Sequence, residues 1–289
     1  YSKQRVLILS GLFFLTMTQR IAIQGIKGSF HDQVVKEYYD HTPELMECLS
    51  FDVLAQAVAS GACSQAVMAI ENSIAGSILP NYALMDQYEL VISGEHYLSI
   101  EHNLMALPGQ KIEDLEEVHS HPMALLQCKK FFHAYPHIKL VESNDTAEEA
   151  LKISKNKMTA RGAIAGKTAA EIYGLEILSP SIQTIKNNVT RFVIVQKDKL
   201  EKSNNISKAA WKFVLDHKRG SLATALNVVS DCNLNLTKIQ SLPVIETPGK
   251  YAFFVDVTFD KPEDYFKAKS LLEIMATAFK VLGEYPSGK

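Results

Sequence analysis

The sequence predicts an α/β protein built in two parts, and three features carry that expectation. From Arg20 to about Val195, short apolar strand-like runs alternate with amphipathic helix-like segments, the pattern of α/β layers with largely parallel sheets. Residues 196–208 (QKDKLEKSNNISK) are charged, rich in Asn and Ser and without hydrophobic periodicity, as a linker is. Residues 209–289 then follow the order βαββαβ, a ferredoxin-like arrangement.

In the first part, RIAIQG reads as a strand, and SFHDQVVKEYY as a helix with Ser29 in the capping position. SFDVLAQAVASG, from Ser50 to Gly61, is a second helix, and QAVMAIEN, from Gln65 to Asn72, a strand. LEEVHSH is a strand; PMALLQCKKFFHAY is a helix with Pro122 in its first position and Ser120 nearby as cap. DTAEEALKIS, from Asp145, is another capped helix, ARGAIAG a strand and KTAAEIYGL a helix. In the second part, KAAWKFVLDH is a strand and GSLATALNVVSDC a helix. LNLTKIQSLPV and KYAFFVDVTF are strands joined through the turn ETPG. PEDYFKAKSLLEIMAT is a helix opened by Pro262, and AFKVLGEYP the last strand.

A length of 289 residues suits two domains with sizeable cores. The net charge of −2 gives no electrostatic reason to expect nucleic acid or an anionic membrane as partner. Cys48, Cys63, Cys128 and Cys232 lie far apart with no C-x-x-C pair, which reads as reduced thiols in a cytoplasmic protein without zinc. His119 and His121 lack neighbours that would complete a metal site. At the N-terminus, VLILSGLFFL follows Lys3 and Arg5 like a signal-peptide core, yet TMTQR offers no cleavage motif and the run is too short to span a bilayer. MTQRIAIQG, beginning at Met17, reads as a natural translation start, so residues 1–16 are read as a misassigned upstream extension or an expression remnant, within an N-terminal segment 1–19.

Polar clusters fall where strands end and helices begin, the position at which open α/β sheets bind ligands. Gln24-Gly25-Ile26-Lys27-Gly28-Ser29 is one, with a helix start able to receive an anion. Glu71-Asn72-Ser73-Ile74-Ala75-Gly76-Ser77 and Ser120-His121-Pro122 are two others. Each alone is ordinary capping and turn chemistry; three together point to a cleft of mostly neutral donors, suited to a small anionic, polyoxygenated ligand. The stretch NNVTRFVIV, residues 187–195, is read both as a turn feeding a strand and as part of that cleft.

Together these stretches resemble the prephenate dehydratase family over nearly the whole chain, from Arg20 to Tyr285. AIENSIAGSI resembles the P-I-E-N-S-x-x-G-S signature with Ala69 in place of Pro, and VHSHPMALLQC resembles S-H-P-x-A-L-x-Q-C. IQTIKNNVTRFVIV carries N-x-T-R-F intact, and IQGIKGSF corresponds loosely to G-x-x-G-T-F/Y with Ser29 for Thr. The tail resembles the ACT regulatory domain attached to these enzymes. The resemblance implies a catalytic domain over 20–195 with two lobes like a periplasmic binding protein, about 20–97 with 183–195 and 98–182, and an active site between them. It implies the conversion of prephenate to phenylpyruvate, CO2 and water on the way to L-phenylalanine.

Loss of the ring carboxylate supplies the electrons that expel the C4 hydroxyl and aromatise the ring, so the reaction calls for no cofactor or metal. The enzyme has to hydrogen-bond the departing hydroxide, hold the pyruvyl carboxylate and keep the ring carboxylate poorly solvated. Thr190 is the candidate donor to the leaving oxygen. Arg191 has two readings, a bidentate carboxylate clamp or an ion pair with Glu71. Asn72, Ser73 and Ser29 are candidate substrate donors; Glu71 is repulsive to a dianion unless protonated or paired. Gly28, Ser120 and Asn188 complete the set with Phe192, which itself reads as core. His121 is read either as an acid or as a structural residue.

For the tail, the resemblance implies phenylalanine binding at Gly220-Ser221-Leu222 and at Gln240-Ser241, where Gln240 and Leu242 replace the Glu and Arg of the family's E-S-R-P stretch. It also implies a homodimer or homotetramer. Two rivals remain open: a solute- or amino-acid-binding protein without catalysis, and arogenate dehydratase, the same chemistry on the aminated substrate.

Overall fold

The computed structural model describes residues 19–198, 205–244 and 247–288. The expectation for residues 1–16 and Met17 lies outside them, as do residues 199–204 of the expected linker and the start of the ETPG turn. In chain order the elements are β1 (Arg20–Gln24), α1 (Phe30–Tyr38), β2 (Glu44–Cys48), α2 (Phe51–Ala59), β3 (Gln65–Asn72), β4 (Gly76–Ser77), α3 (Leu79–Gln87) and β5 (Val91–Ser99). There follow β6 (Asn103–Ala106), β7 (Glu117–Ser120), α4 (Pro122–Cys128), β8 (Lys139–Glu142), α5 (Thr146–Asn156), β9 (Arg161–Ala165), α6 (Lys167–Tyr173), β10 (Glu176–Ser179) and β11 (Val189–Gln196). The C-terminal unit contributes β12 (Lys208–Val214), α7 (Ser221–Asp231), β13 (Asn235–Pro243), β14 (Tyr251–Thr258), α8 (Pro262–Met275) and β15 (Ala278–Tyr285).

These strands form two lobes. The first holds β2-β1-β3-β11-β5, and the second β10-β6-β9-β7-β8. The expectation of largely parallel sheets needs correction, because both are mixed. β1 runs parallel to β2 and β3, whereas β11 is antiparallel to both β3 and β5. In the second lobe β7 is parallel to β8 and β9, and β6 antiparallel to β9 and β10. The physical reason is the double crossing: β5 leaves the first lobe for the second and β11 returns, so each lobe gains strands that no βαβ crossover supplies. The helix expected over 122–135 is also broken, into α4 and a 3₁₀ turn at Phe131–Ala134.

The C-terminal strands lie in the order β13-β14-β12-β15, all antiparallel. Trp211 and Tyr265 stack inside this unit with ring centroids 5.7 Å apart. β15 then continues the first lobe's sheet by pairing parallel with β5 at Gly283 and Ile92. A Cβ at Gly283 would stand 2.5 Å from the Ile92 carbonyl oxygen, so only glycine lets the two strands approach this closely. One apolar cluster spans the joint, with Met68, Ile70, Tyr82 and Val193 of the lobe against Ala210, Phe254 and Leu282 of the C-terminal unit. The two parts therefore share a core.

Candidate active site

A cleft of about 440 Å³ lies between the lobes, a size that suits a small organic molecule. Strand alternation decides which residues reach it. On β11, Phe192 and Ile194 pack on the cleft-side cluster and Val193 and Val195 on the opposite one. Thr190 follows the first set into the cleft, and Arg191 follows the second away from it.

On β3 the alternation is interrupted. Arg191 pairs with Glu71, but Phe192 pairs with Ala69, leaving Ile70 as an extra residue. Such a bulge shifts the parity of everything beyond it. Val67 and Ala69 pack on the cleft side and Met68 and Ile70 on the other. Past the bulge Glu71 stays with Ile70 on the far face, and Asn72 turns into the cleft.

Within the cleft, Asn72 Nδ2 donates to Thr190 Oγ1 at 2.9 Å and to Asn188 Oδ1 at 2.7 Å. Asn72 Oδ1 accepts from the amides of Ile74 and Ala75 at 3.0 and 2.9 Å. Its amide is thus fully engaged and orients Thr190 instead of meeting a ligand. The Thr190 hydroxyl accepts from Asn72, and no acceptor among the described residues takes its own proton, which is left to point into the cleft. The network continues across the lobes: Asn188 Nδ2 donates to Gln127 Oε1 at 2.9 Å, and His102 Nε2 lies 2.9 Å from the same oxygen. A carbonyl oxygen only accepts, so His102 carries its proton on Nε2.

His31 and His102 line the cleft as neutral imidazoles, burial holding them down to about 3 and about 4 respectively. His31 Nε2 and His102 Nδ1 have no hydrogen-bond partner among the described residues, and His31 packs edge-on to Phe192 at 5.0 Å. Ser29 caps α1 by accepting from Asp32 N at 3.3 Å and lines the cleft. His121, not Ser120, caps α4, its Nδ1 accepting from Met123 N at 3.2 Å, and it too lines the cleft. Asp145 caps α5 through Oδ1, and its carboxyl is raised by burial.

Several residues expected at the site do not line it. Ser120 is fully buried with Oγ donating to Ile164 O at 2.7 Å, a tie between β7 and β9. Ser73 binds the returning chain, its Oγ accepting from Val189 N at 2.9 Å and donating to Asn187 O at 3.3 Å. Gly28 adopts φ +87 and sits where a Cβ would meet the α6 backbone at Ala169 at 3.1 Å, so it holds the lobes close without lining the cleft. Both readings of Arg191 are corrected. Its Nε donates to Glu95 Oε2 at 2.7 Å, and its other nitrogens donate to Asp256 and, at 3.0 Å, to the Tyr285 hydroxyl. Glu71 pairs instead with Lys238 of the C-terminal unit at 2.9 Å. Lys208 completes this buried cluster, donating to both Glu95 oxygens at 3.0 and 2.8 Å. Burial raises Glu95, but Arg191 and Lys208 outweigh it and hold its carboxyl below the ordinary value.

The residues read for an effector stand apart from the cleft. Gly220 caps α7 with φ +84, Ser221 opens that helix and Leu222 packs on the C-terminal core. Gln240 and Ser241 lie on β13, the edge strand of the sheet.

Sequence reasoning missed His31, His102, Gln127 and Asp145 as cleft residues. His31 was legible: it shares the buried face of α1 with Val34 and Val35, three and four positions on. Asp145 and His102 needed the fold, since each faces the cleft from a different lobe or crossing.

The architecture defines a two-lobed α/β protein with an interlobe ligand cleft and an attached βαββαβ unit. The prephenate dehydratase family profile matches residues 21–200, and the chain belongs to that family. Arogenate dehydratase/prephenate dehydratase 2, chloroplastic, of Arabidopsis thaliana is 35% identical over 280 residues, covering 92% of this chain and 72% of the relative. A solved structure described as GqqA, a novel type of quorum quenching acylase, superposes with TM-score 0.83 at 27% identity over 93% of this chain and 98% of its own. The prephenate dehydratase of Arthrobacter aurescens in complex with L-Phe shares the fold, with TM-score 0.82 at 23% identity over 93% of this chain and 90% of its own.

Proposed function

We propose that the protein is a dehydratase that converts prephenate to phenylpyruvate, CO2 and water in L-phenylalanine biosynthesis. The observation that carries this reading is the Thr190 hydroxyl, fixed by Asn72 with its proton free toward the cleft. As the ring carboxylate leaves as CO2, its bonding electrons enter the ring and the C4–O bond breaks. Thr190 hydrogen-bonds the oxygen on which charge collects, and that oxygen departs as water once protonated. Ser29 and the first amides of α1 offer donors for a substrate carboxylate. Phe30, Ile78, Ile100 and Phe192 give the cleft an apolar wall that keeps the ring carboxylate poorly solvated. Acyl transfer is less well served, because no cleft hydroxyl among the described residues is hydrogen-bonded to a cleft histidine.

The division at the linker belongs to the same proposal: 20–195 catalyse, and 209–289 act as an ACT domain that binds L-phenylalanine and pairs across subunits of a homodimer or homotetramer. The C-terminal strand order supports it, as does the L-Phe bound in the Arthrobacter structure. The four cysteines are unpaired and buried, which fits a reducing compartment such as the cytoplasm. No helix among the described residues is long and apolar enough to cross a membrane.

The test is CO2 release from prephenate. Thr190→Ala is expected to fold normally and lose about 100- to 1,000-fold in turnover, the range for one preorganised donor; equal activity removes Thr190 from the mechanism. The same assay with millimolar L-phenylalanine is expected to show inhibition, and unchanged activity would count against the effector site.

A further inference from the structure

The amide chain behind Thr190 has a direction, and the backbone sets it. The N–H groups of Ile74 and Ala75 donate to Asn72 Oδ1, which obliges Asn72 to turn its NH2 toward Asn188 and Thr190. Asn188 Oδ1 therefore accepts, and its Nδ2 is left to donate to Gln127 Oε1 at 2.9 Å. A side-chain amide has one accepting end and one donating end, so every orientation follows from the one before it. The chain ends on the carbonyl oxygen of Gln127.

Two donors converge on that oxygen from different parts of the fold. Asn188 belongs to the return crossing between β10 and β11, and His102 to the outgoing crossing between β5 and β6. Gln127 itself stands on α4 of the second lobe, and its backbone carbonyl accepts from Thr184 N of the return crossing at 2.9 Å. Gln183 pins the two crossings side by side. Its Oε1 accepts from His102 N at 3.0 Å, and its Nε2 donates to Ile100 O at 3.3 Å. Asn188 and His102 are both buried, so without the Gln127 oxygen two buried donors lose their acceptor.

We propose that Gln127 is a positioning residue for the dehydration, holding the Thr190 hydroxyl in place through Asn188 and Asn72 and tying that placement to the second lobe. The inference rests on the dehydratase reading and adds to it a residue that acts through others. A shift of one lobe against the other reaches Thr190 through three side-chain hydrogen bonds. A hydroxyl that meets charge only in the transition state acts on kcat, and displacing it by about 1 Å costs up to about 100-fold.

The experiment measures kcat and KM for CO2 release from prephenate in Gln127→Met, Gln127→Glu, Asn188→Ala and the double variant Gln127→Met/Asn188→Ala. Met keeps the length of Gln but offers Asn188 and His102 no oxygen; kcat is expected to fall about 10- to 100-fold with KM little changed. Glu restores an acceptor for both donors and brings a negative charge to the cleft wall. It is expected to recover most of kcat while raising KM for the dianionic substrate. In the Asn188→Ala background, Gln127→Met is expected to cost little more, because the path to Thr190 is already cut. Should the Met variant fail to fold, the Glu variant decides alone, and a loss of kcat at unchanged KM overturns the proposal. A Met variant with raised KM and full kcat makes Gln127 a substrate contact, and losses that add in the double variant make it independent of Asn188. Either result overturns the positioning role and leaves the dehydratase reading intact. Failure of the wild type to release CO2 overturns that reading as well.

Discussion

The two faces of β11 differ in kind. The cleft face presents Asn188, Thr190 and Phe192 among amides, hydroxyls and neutral imidazoles, joined by hydrogen bonds between uncharged groups. The far face presents Arg191 to Glu95, Asp256 and Lys208, with Glu71 and Lys238 alongside: three cations against three anions, packed into the joint with the C-terminal unit. A stretch that reads as one motif is thus divided by parity between the cleft and the joint with the C-terminal unit. The difference teaches that proximity in sequence to a cleft hydroxyl says little about a place in the cleft when the element is a strand.

The comparison is broken most forcefully at Arg191. Arg191→Ala strips the cation from two buried carboxylates, a loss expected to cost about 3–5 kcal/mol of stability. Denaturant unfolding measures it, and a variant of wild-type stability with impaired turnover would return Arg191 to the cleft. Thr190→Ala, one residue away, is expected to do the reverse.

Acid separates the faces next. Burial holds His31 and His102 at about 3 and about 4, below the ordinary value near 6.5. The unfolded chain therefore binds protons that the folded chain refuses once the pH falls below about 6.5, and stability is lost on acidification toward pH 4. Each histidine contributes up to about 1.4 kcal/mol per pH unit in that window. On the far face burial raises the Glu95 carboxyl, but Arg191 and Lys208 outweigh it and hold it below the ordinary value. Unfolding midpoints that stay flat from pH 7 to 5 would show that the cleft histidines are not buried and neutral.

The smallest effect is expected at Glu71, whose side chain is 39% exposed although Lys238 is nearly buried. Glu71→Gln should cost under about 1 kcal/mol and leave turnover near wild type. A large catalytic loss would bring Glu71 back into the cleft.

Much of the fold was legible. Ser29, Ser50 and Asp145 announced three helices, β3 kept its expected limits, and the βαββαβ order of the tail stood in the pattern. β5 was not legible, because VISGEHYLS places glycine, histidine and a buried glutamate inside a strand. Glu95 is tolerated there by Arg191 and Lys208, about a hundred positions further along the chain. The site was legible in part for the same reason. Period-two alternation already sets Arg191 apart from Thr190 and Phe192, but the group Arg191 turns toward exists only once the C-terminal unit has docked. The parity shift at Asn72 had no local signal at all.

The bulge at Ile70 lets β3 carry one extra residue without changing which side chains face the cleft. Ile70 is buried and touches nothing in the cleft, so another apolar residue there alters only packing. Deleting it would remove the bulge and leave the pairing as it is, Ala69 against Phe192, Glu71 against Arg191 and Asn72 against Thr190, with Asn72 still in the cleft and Glu71 still on the far face. The pairing with β11, not the count of residues along β3, is what assigns each side chain its place.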